Sequence, residues 1–245
     1  MNDASHYGSL APYYERLFPP ARTKLDFLLS RLPQPPATIL DIGCGPGSLC
    51  GALTRLGFTV HGLDLDPRMI EQARTHYPEC TFDCADFLQW EDVASFDAVL
   101  CLGNTLSYFS PVALPGALRK IGMRLKPGGR CILQTVNWDF LQSRIPCDLP
   151  PIQRETLLFR RTYRSGVGGT VIFRWELSDA GKTVAMAEDI LYPHLRSRLE
   201  EAACQAGLRP AGCYRDWGGH EHEPNRAGGT ILCLHSQPRG LEVRG

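Results

Sequence analysis

Three glycines at alternate positions, Gly43, Gly45 and Gly47, close a short apolar run formed by Ile39, Leu40 and Ile42. Residues 48–56 are compatible with a helix, and a second apolar run over residues 58–63 ends in Asp64. Strand, glycine turn, helix, strand and acid, in that order, describe one βαβ unit with a carboxylate about 20 residues past the first glycine. That unit constrains the chain to a parallel sheet covered by helices. Glycine has no Cβ, so such a turn lets backbone approach a ligand closely. The Asp64 carboxylate can accept both hydroxyls of a ribose. The pattern predicts an adenosine-containing cofactor at the carboxyl edge of the sheet.

The spacing of the glycines separates the candidate cofactors. A dinucleotide site usually reads Gly-x-Gly-x-x-Gly, with helix amides meeting a pyrophosphate. Here the spacing is Gly-x-Gly-x-Gly, Asp41 stands two residues before it, and Pro46 lies inside the turn. A carboxylate at that point repels a pyrophosphate and suits a cofactor carrying a positive amine and a sulfonium. S-adenosyl-L-methionine is therefore favoured over a dinucleotide.

Residues 40–47, Leu-Asp-Ile-Gly-Cys-Gly-Pro-Gly, resemble the first motif of class I S-adenosylmethionine-dependent methyltransferases. Residues 62–70, Gly-Leu-Asp-Leu-Asp-Pro-Arg-Met-Ile, resemble their second. Cys-Ala-Asp-Phe at 84–87 resembles the segment where an acid meets the adenine amino group. Residues 96–100 resemble the fourth strand, and Leu-Lys-Pro-Gly-Gly at 125–129 the turn into the fifth. The resemblance implies a doubly wound, Rossmann-like α/β fold with a seven-stranded, mostly parallel sheet. It also implies cofactor contacts. The first motif would contribute Asp41, Gly43, Cys44, Gly45 and Gly47. The second would contribute Asp64, Leu65 and Met69, and the third Asp86 and Phe87. Leu102 and Gly103 would follow from the end of the fourth strand. Tyr7, Tyr13 and Tyr14 lie in amino-terminal helices that fold over the cofactor in this family, and Tyr14 is expected to reach it.

The second half of the chain is similar to glycine N-methyltransferases and related small-amine enzymes. Residues 101–109, Cys-Leu-Gly-Asn-Thr-Leu-Ser-Tyr-Phe, resemble their segment after the fourth strand. Asn-Trp-Asp at 137–139 resembles their Asn-Tyr-Asp, and Leu-Tyr-Pro-His at 191–194 their Tyr-Tyr-Pro-His. Those enzymes carry an arginine just before Asn-Tyr-Asp that holds the substrate carboxylate. Val136 stands there in this chain, which argues against glycine as the substrate. The resemblance implies that Asn104, Tyr108 and His194 orient or deprotonate the acceptor, with His194 the side chain best suited to take a proton near neutrality. Asn137, Trp138 and Tyr192 would line the acceptor pocket with Asn104 and Tyr108.

Missing motifs exclude other chemistries. Enzymes that methylate planar amides and adenine amines place Asn/Asp-Pro-Pro-Tyr after the fourth strand, where this chain has Leu-Gly-Asn-Thr. Cytosine carbon methylation needs a Pro-Cys nucleophile in that same turn, and none is present. No run of acids has metal-ligand spacing, so no metal is expected. His220-Glu221-His222 reads as solvated surface rather than as a ligand set.

Four stretches organise the 245 residues. Residues 1–36 form a helical lid, with helices over 10–17 and 21–32 split by Pro19-Pro20. Residues 37–136 form the cofactor-binding core. Residues 137–193 read as three antiparallel strands, over 155–164, 170–177 and 183–192, which line the acceptor site. Residues 194–245 supply the last helix and two closing strands. Lys plus Arg equals Asp plus Glu at 26 each, whereas nucleic-acid binders usually show a basic excess. A small-molecule acceptor is expected, and a nucleic-acid partner is not. No apolar run approaches a membrane span, and the opening residues lack the hydrophobic region of a signal peptide. The ten cysteines form no Cys-x-x-Cys pair and read as reduced structural thiols of a cytoplasmic protein. The expected activity is methyl transfer from S-adenosylmethionine to a small acceptor, an amine nitrogen first. Small-molecule O-methylation and non-catalytic cofactor binding are the alternatives that the motifs leave open.

Overall fold

The computed structural model describes residues 6–237. The outer ends of the expected lid and of the expected closing segment, residues 1–5 and 238–245, lie outside the described residues. A 3-10 segment, His6–Tyr13, leads into α1 (Tyr14–Leu17) and α2 (Arg22–Leu29). The helix expected over 10–17 is thus only half α-helical. Pro12 sits inside it, and proline has no N–H to give to a helical bond.

The core alternates strand and helix: β1 (Thr38–Ile42), α3 (Ser48–Thr54), β2 (Thr59–Asp64), α4 (Pro67–His76), β3 (Thr81–Cys84), β4 (Phe96–Cys101), α5 (Leu114–Arg124) and β5 (Leu125–Val136). Its helix starts follow local chemistry. Asp66 caps α4, accepting from the Arg68 N–H at 2.9 Å, and Pro67 occupies the first helical position, where its missing N–H costs nothing. After β5 come the short α6 (Trp138–Leu141) and four strands: β6 (Cys147–Arg154), β7 (Leu157–Ser165), β8 (Val171–Asp179) and β9 (Lys182–Leu191). Then α7 (Arg196–Gln205), β10 (Leu208–Tyr214) and β11 (Gly229–Ser236) complete the chain. Gly207, with φ of 77°, ends α7.

The seven-stranded sheet runs β10-β11-β5-β4-β1-β2-β3. Pairings from β5 through β4, β1 and β2 to β3 are parallel, and β11 is antiparallel to both of its neighbours. Strand order reverses between β1 and β4, which places a crevice at their carboxyl ends. Both sheet faces are covered. Leu40, Ile42, Val99 and Cys101 pack with α5 and α7, while Ile39, Ala98 and Leu100 pack with α2 and α3. Period-two strands buried on both faces read as continuous apolar runs, which is how β1 and β4 appear in sequence.

The insertion is a second sheet, ordered β6-β7-β8-β9 and antiparallel throughout. It has one strand more than expected. Pro150 and Pro151 hid β6. Proline cannot donate to a ladder and is confined to edges and bulges; here β6 is an edge strand whose register breaks between Leu149 and Ile152. Phe159, Tyr163, Phe173, Trp175 and Leu177 of this sheet share a buried cluster with Leu10, Ala11 and Leu17 of the lid, Met69 of α4 and Trp138. The insertion therefore packs over the carboxyl edge through the amino-terminal segment.

Candidate active site

The glycine turn is built for positive φ: Gly43, Gly45 and Gly47 have φ of 73°, 56° and 82°. Space also demands glycine. A Cβ on Gly43 would collide with Thr105 Oγ1, and one on Gly47 would lie 2.7 Å from Phe82 Cζ. The Gly43 and Cys44 N–H groups both donate to the Leu63 carbonyl, at 2.7 and 3.1 Å, and tie the turn to β2. Asp64 Oδ2 accepts from the Gly45 N–H at 2.9 Å, and Oδ1 from the Asp66 N–H at 2.9 Å. Each oxygen keeps a second lone pair for a ribose hydroxyl. Leu65, next to it, is 44% exposed. Asp86 lies exposed beyond β3 and accepts from the Leu88 N–H at 2.9 Å.

Two carboxylates and one phenol mark the other end of the cradle. Asp41 is buried at the end of β1, 3.6 Å from the Cys50 thiol that donates to it. Burial pushes its carboxyl up to about 6, against the pull of Lys24 and the Cys50 hydrogen bond. Burial also raises Asp64, opposed by its backbone donors. Tyr14 stands over the turn, its ring 3.8 Å from where a Gly45 Cβ would sit. Burial, followed by Asp64 and Asp41, pushes its phenol up to about 12. The two acids make this end of the turn electronegative. Not every expected contact reaches the cradle. Met69 is 2% exposed and packs in the cluster under the lid, and the Phe87 ring is buried in the core. Gly103 is exposed with φ of 66°, and its N–H is held by Gln134 Oε1 at 2.8 Å, while the Leu102 side chain is buried.

Beyond β4, polar side chains stitch the loops together. Asn104, with φ of 71°, accepts at Oδ1 from the Val136 N–H (3.1 Å) and the Ser107 hydroxyl (2.8 Å). Ser107 Oγ in turn accepts from Trp138 Nε1 at 2.9 Å. Trp138 is fully buried, so it is core beneath the pocket and not a wall. Asn137 is also fully buried. Its Nδ2 donates to the Glu223 and Arg226 carbonyls at 3.0 and 2.9 Å, and Oδ1 accepts from the Phe140 N–H. These bonds occupy its polar atoms, so the expected acceptor contact is replaced by a loop clamp. His194 is 3% exposed, and its Nε2–H donates to the Phe109 carbonyl at 2.8 Å. Burial lowers its pKa, with the Phe109 carbonyl opposing. The buried imidazole anchors the β4 loop through its Nε2–H. The backbone N–H of Tyr192 donates to the Ser107 carbonyl at 2.7 Å, joining the end of β9 to the same loop.

The inner face of the insertion carries an acid that sequence patterns missed, Asp189. Tyr108 Oη donates to Asp189 Oδ2 at 3.4 Å, and Asp189 is 8% exposed. Tyr7 from the lid stacks on Phe173 (centroids 6.3 Å apart) and tilts against Trp175 (5.6 Å). Burial raises the Tyr7 phenol well above its ordinary value; Tyr14, Tyr163 and Asp189 push the same way and Arg161 opposes them. Tyr7 thus stands between the cofactor cradle and a buried carboxylate. A single Asp between Ala187 and Leu191 in a strand has no motif around it. The signal available was an inward-facing acid in an alternating strand.

Among the described residues no group of three or more His, Cys, Asp and Glu could hold a metal, and no helix is long and apolar enough to cross a membrane. The 220–222 trio divides. His220 pairs with Asp216 at 2.9 Å on the surface. His222 is buried, correcting the expected solvated position, and bonds Thr230 Oγ1 at 3.1 Å.

The doubly wound sheet, with a glycine turn and an acid at its carboxyl edge, is the fold of solved S-adenosylmethionine-dependent methyltransferases. Residues 39–129 match the family model described as "Methyltransferase domain". A ubiquinone biosynthesis O-methyltransferase of Xanthomonas campestris pv. campestris is 36% identical over 120 residues, covering 46% of this chain and 49% of the relative. The chain spans about half the length of the curated relatives it matches. The methyltransferase CcbJ of Streptomyces caelestis superposes over 96% of this chain and 99% of its own, with a TM-score of 0.80 and 16% identity. CalS10, an amino pentose methyltransferase of Micromonospora echinaspora solved with its cofactor bound, covers 93% and 94% with a TM-score of 0.66 and 23% identity. At these identities the superpositions establish the fold, insertion included.

Proposed function

We propose that this protein transfers a methyl group from S-adenosylmethionine to the nitrogen of a small-molecule amine. One observation carries the choice of nitrogen: the buried Asp189 carboxylate beside Tyr108, close to the carboxyl end of β4. A carboxylate among aromatic rings attracts an ammonium through charge and through the ring faces. When bound, S-adenosylmethionine supplies an activated methyl group on a sulfonium, so alignment and exclusion of water are the protein's main tasks. Asp64 and the glycine turn would hold the ribose and the amino-acid end, and Tyr14 would close over them. Tyr7 and Tyr108 would keep the acceptor dry. An ammonium must lose a proton before its lone pair can attack, and Asp189 Oδ2 is the atom placed to take it. The amino pentose acceptor in the description of CalS10 supports nitrogen.

Oxygen is the second reading, favoured by the O-methyltransferase name of the sequence relatives. A homocysteine-release screen over small amines, phenols and thiols separates the two, after calorimetry confirms cofactor binding. The expected result is turnover of amines, with Asp189→Asn lowering kcat/KM by about 10²-fold, the usual range for a lost acid–base group. Turnover of phenols with Asp189→Asn unaffected would overturn the nitrogen reading. Cofactor binding without turnover of any acceptor would favour a binding protein.

A further inference from the structure

Asp41 and Gly62 stand opposite each other across the parallel β1–β2 ladder, about 4.8 Å apart. A thiol packs against each of them. Cys50 Sγ lies 3.6 Å from Asp41 Oδ2, and Cys44 Sγ lies 2.9 Å from where a Cβ on Gly62 would stand. The two sulfurs are therefore neighbours beneath the glycine turn, and the thiols hydrogen-bond each other. Both belong to the cluster on the α2–α3 side of the sheet. Cys50 is fully buried, whereas Cys44 is partly buried and its thiol also reaches the Gly45 carbonyl at 3.5 Å.

Joining these sulfurs would disturb the cofactor cradle in two ways. A disulfide is about 2.05 Å long, much shorter than a hydrogen-bonded contact, so closing it draws Cys44 toward α3. Cys44 stands between Gly43 and Gly45. The Gly43 and Cys44 N–H groups hold the Leu63 carbonyl, and the Gly45 N–H holds Asp64 Oδ2. A displacement of Cys44 thus reaches the ribose carboxylate. The bond also removes the Cys50 S–H that donates to Asp41, and a carboxyl that loses a donor ionises less readily. Both changes weaken a site for a cationic cofactor.

We infer that Cys44 and Cys50 form an oxidation site that switches cofactor binding: peroxide closes a disulfide between them and weakens the cradle, and a thiol reductant restores it. The Cys44 sulfur, the more accessible of the two, attacks one peroxide oxygen. The O–O bond breaks, a sulfenic acid forms and the thiol proton leaves in water. The Cys50 sulfur then displaces that hydroxyl, forming the S–S bond and releasing a second water with its own proton. Two thiols give up two electrons in all, and one hydrogen peroxide becomes two waters. Burial pushes the Cys44 thiol up, with the Cys50 hydrogen bond opposing, and the thiolate is the reactive form. The pair therefore answers sustained peroxide and not a brief pulse. Linkage makes the effect mutual: a cofactor that prefers the dithiol form disfavours the disulfide by the same factor.

The test compares untreated protein with protein held in hydrogen peroxide and then freed of it, with and without later dithiothreitol. Calorimetry reads the affinity for S-adenosylhomocysteine, and peptide mapping without reduction locates disulfides. Exposed Cys84 and Cys204 report that the oxidant has acted. Cys50→Ser is treated in parallel, because it keeps a hydroxyl donor for Asp41 and removes one sulfur. The expected result is a cross-link joining Cys44 to Cys50 and an affinity at least about tenfold weaker after peroxide. Dithiothreitol should restore the affinity, and treatment should leave that of Cys50→Ser where it started. Peroxide that modifies Cys84 or Cys204 without joining Cys44 to Cys50 overturns the inference, and the map of the unaltered protein decides this whether or not the variant folds. A cross-link that leaves affinity intact overturns it too, as does an equal loss of affinity in Cys50→Ser.

Discussion

Asp41 carries a charge that the proposed cofactor site needs and that burial withholds. Its carboxyl, pushed up to about 6 by desolvation, is largely protonated at pH 5 and ionised by pH 7 in the cofactor-free protein. A cationic ligand stabilises the ionised form and so binds the deprotonated protein better. Affinity for S-adenosylmethionine should therefore rise with pH through about 6 and level off above 7. One carboxyl that must ionise for binding changes the affinity by at most about tenfold for each step of pH below that point. Calorimetric titration from pH 5 to 8 reads this directly. Asp41→Asn should flatten the profile, and a flat profile in the unaltered protein would remove Asp41 from the cofactor site. At this scale the sequence was informative where a motif fixed both residue and backbone, as at Gly43, Gly47 and Asp64. His194 and Asn137 are residue types that suit catalysis, and residue type alone does not reveal that their hydrogen bonds go to the Phe109, Glu223 and Arg226 carbonyls. The sequence was silent on Asp189, because a face of a sheet takes on a role only when strands are placed side by side.

The turn between β1 and α3 shows how an element imposes its own sequence. Gly47 precedes α3 at φ of 82°, with Phe82 and Ala73 packed against the position a Cβ would take. Gly47→Ala should destabilise the protein by about 1–3 kcal/mol from backbone strain, with crowding added. A denaturant titration would measure this, and an unchanged midpoint would mean that the turn relaxes at no cost. The same substitution should weaken cofactor binding, since the turn is anchored to β2 by two N–H groups on one carbonyl. Strands and helices of the core were readable because their apolar runs and caps are local. The β6 strand was not, because its pairing partner β7, and not its own Pro150-Pro151 sequence, makes it a strand.

At the scale of the whole molecule, the two sheets are joined less by direct pairing than by what lies between them. The 3-10 segment His6–Tyr13 packs on α4 and on β9, and Leu10 and Ala11 are buried in a cluster drawn from lid, core and insertion. Neither sheet buries its facing apolar surface without that segment. Unfolding should consequently be one cooperative event, with calorimetric and van't Hoff enthalpies in agreement. Two resolved heat-absorption peaks would show instead that the insertion melts on its own. The division of the molecule has a further consequence. The residues proposed to cradle the methyl donor sit on β1, β2 and their turns, whereas Asp189, proposed to take the acceptor amine, sits on β9 of the inserted sheet. Drift in the inserted sheet would then retune what is methylated while the donor machinery stays untouched. A lineage built this way would diversify by repainting one wall, and the same wall is where a laboratory library for altered acceptor range should be concentrated.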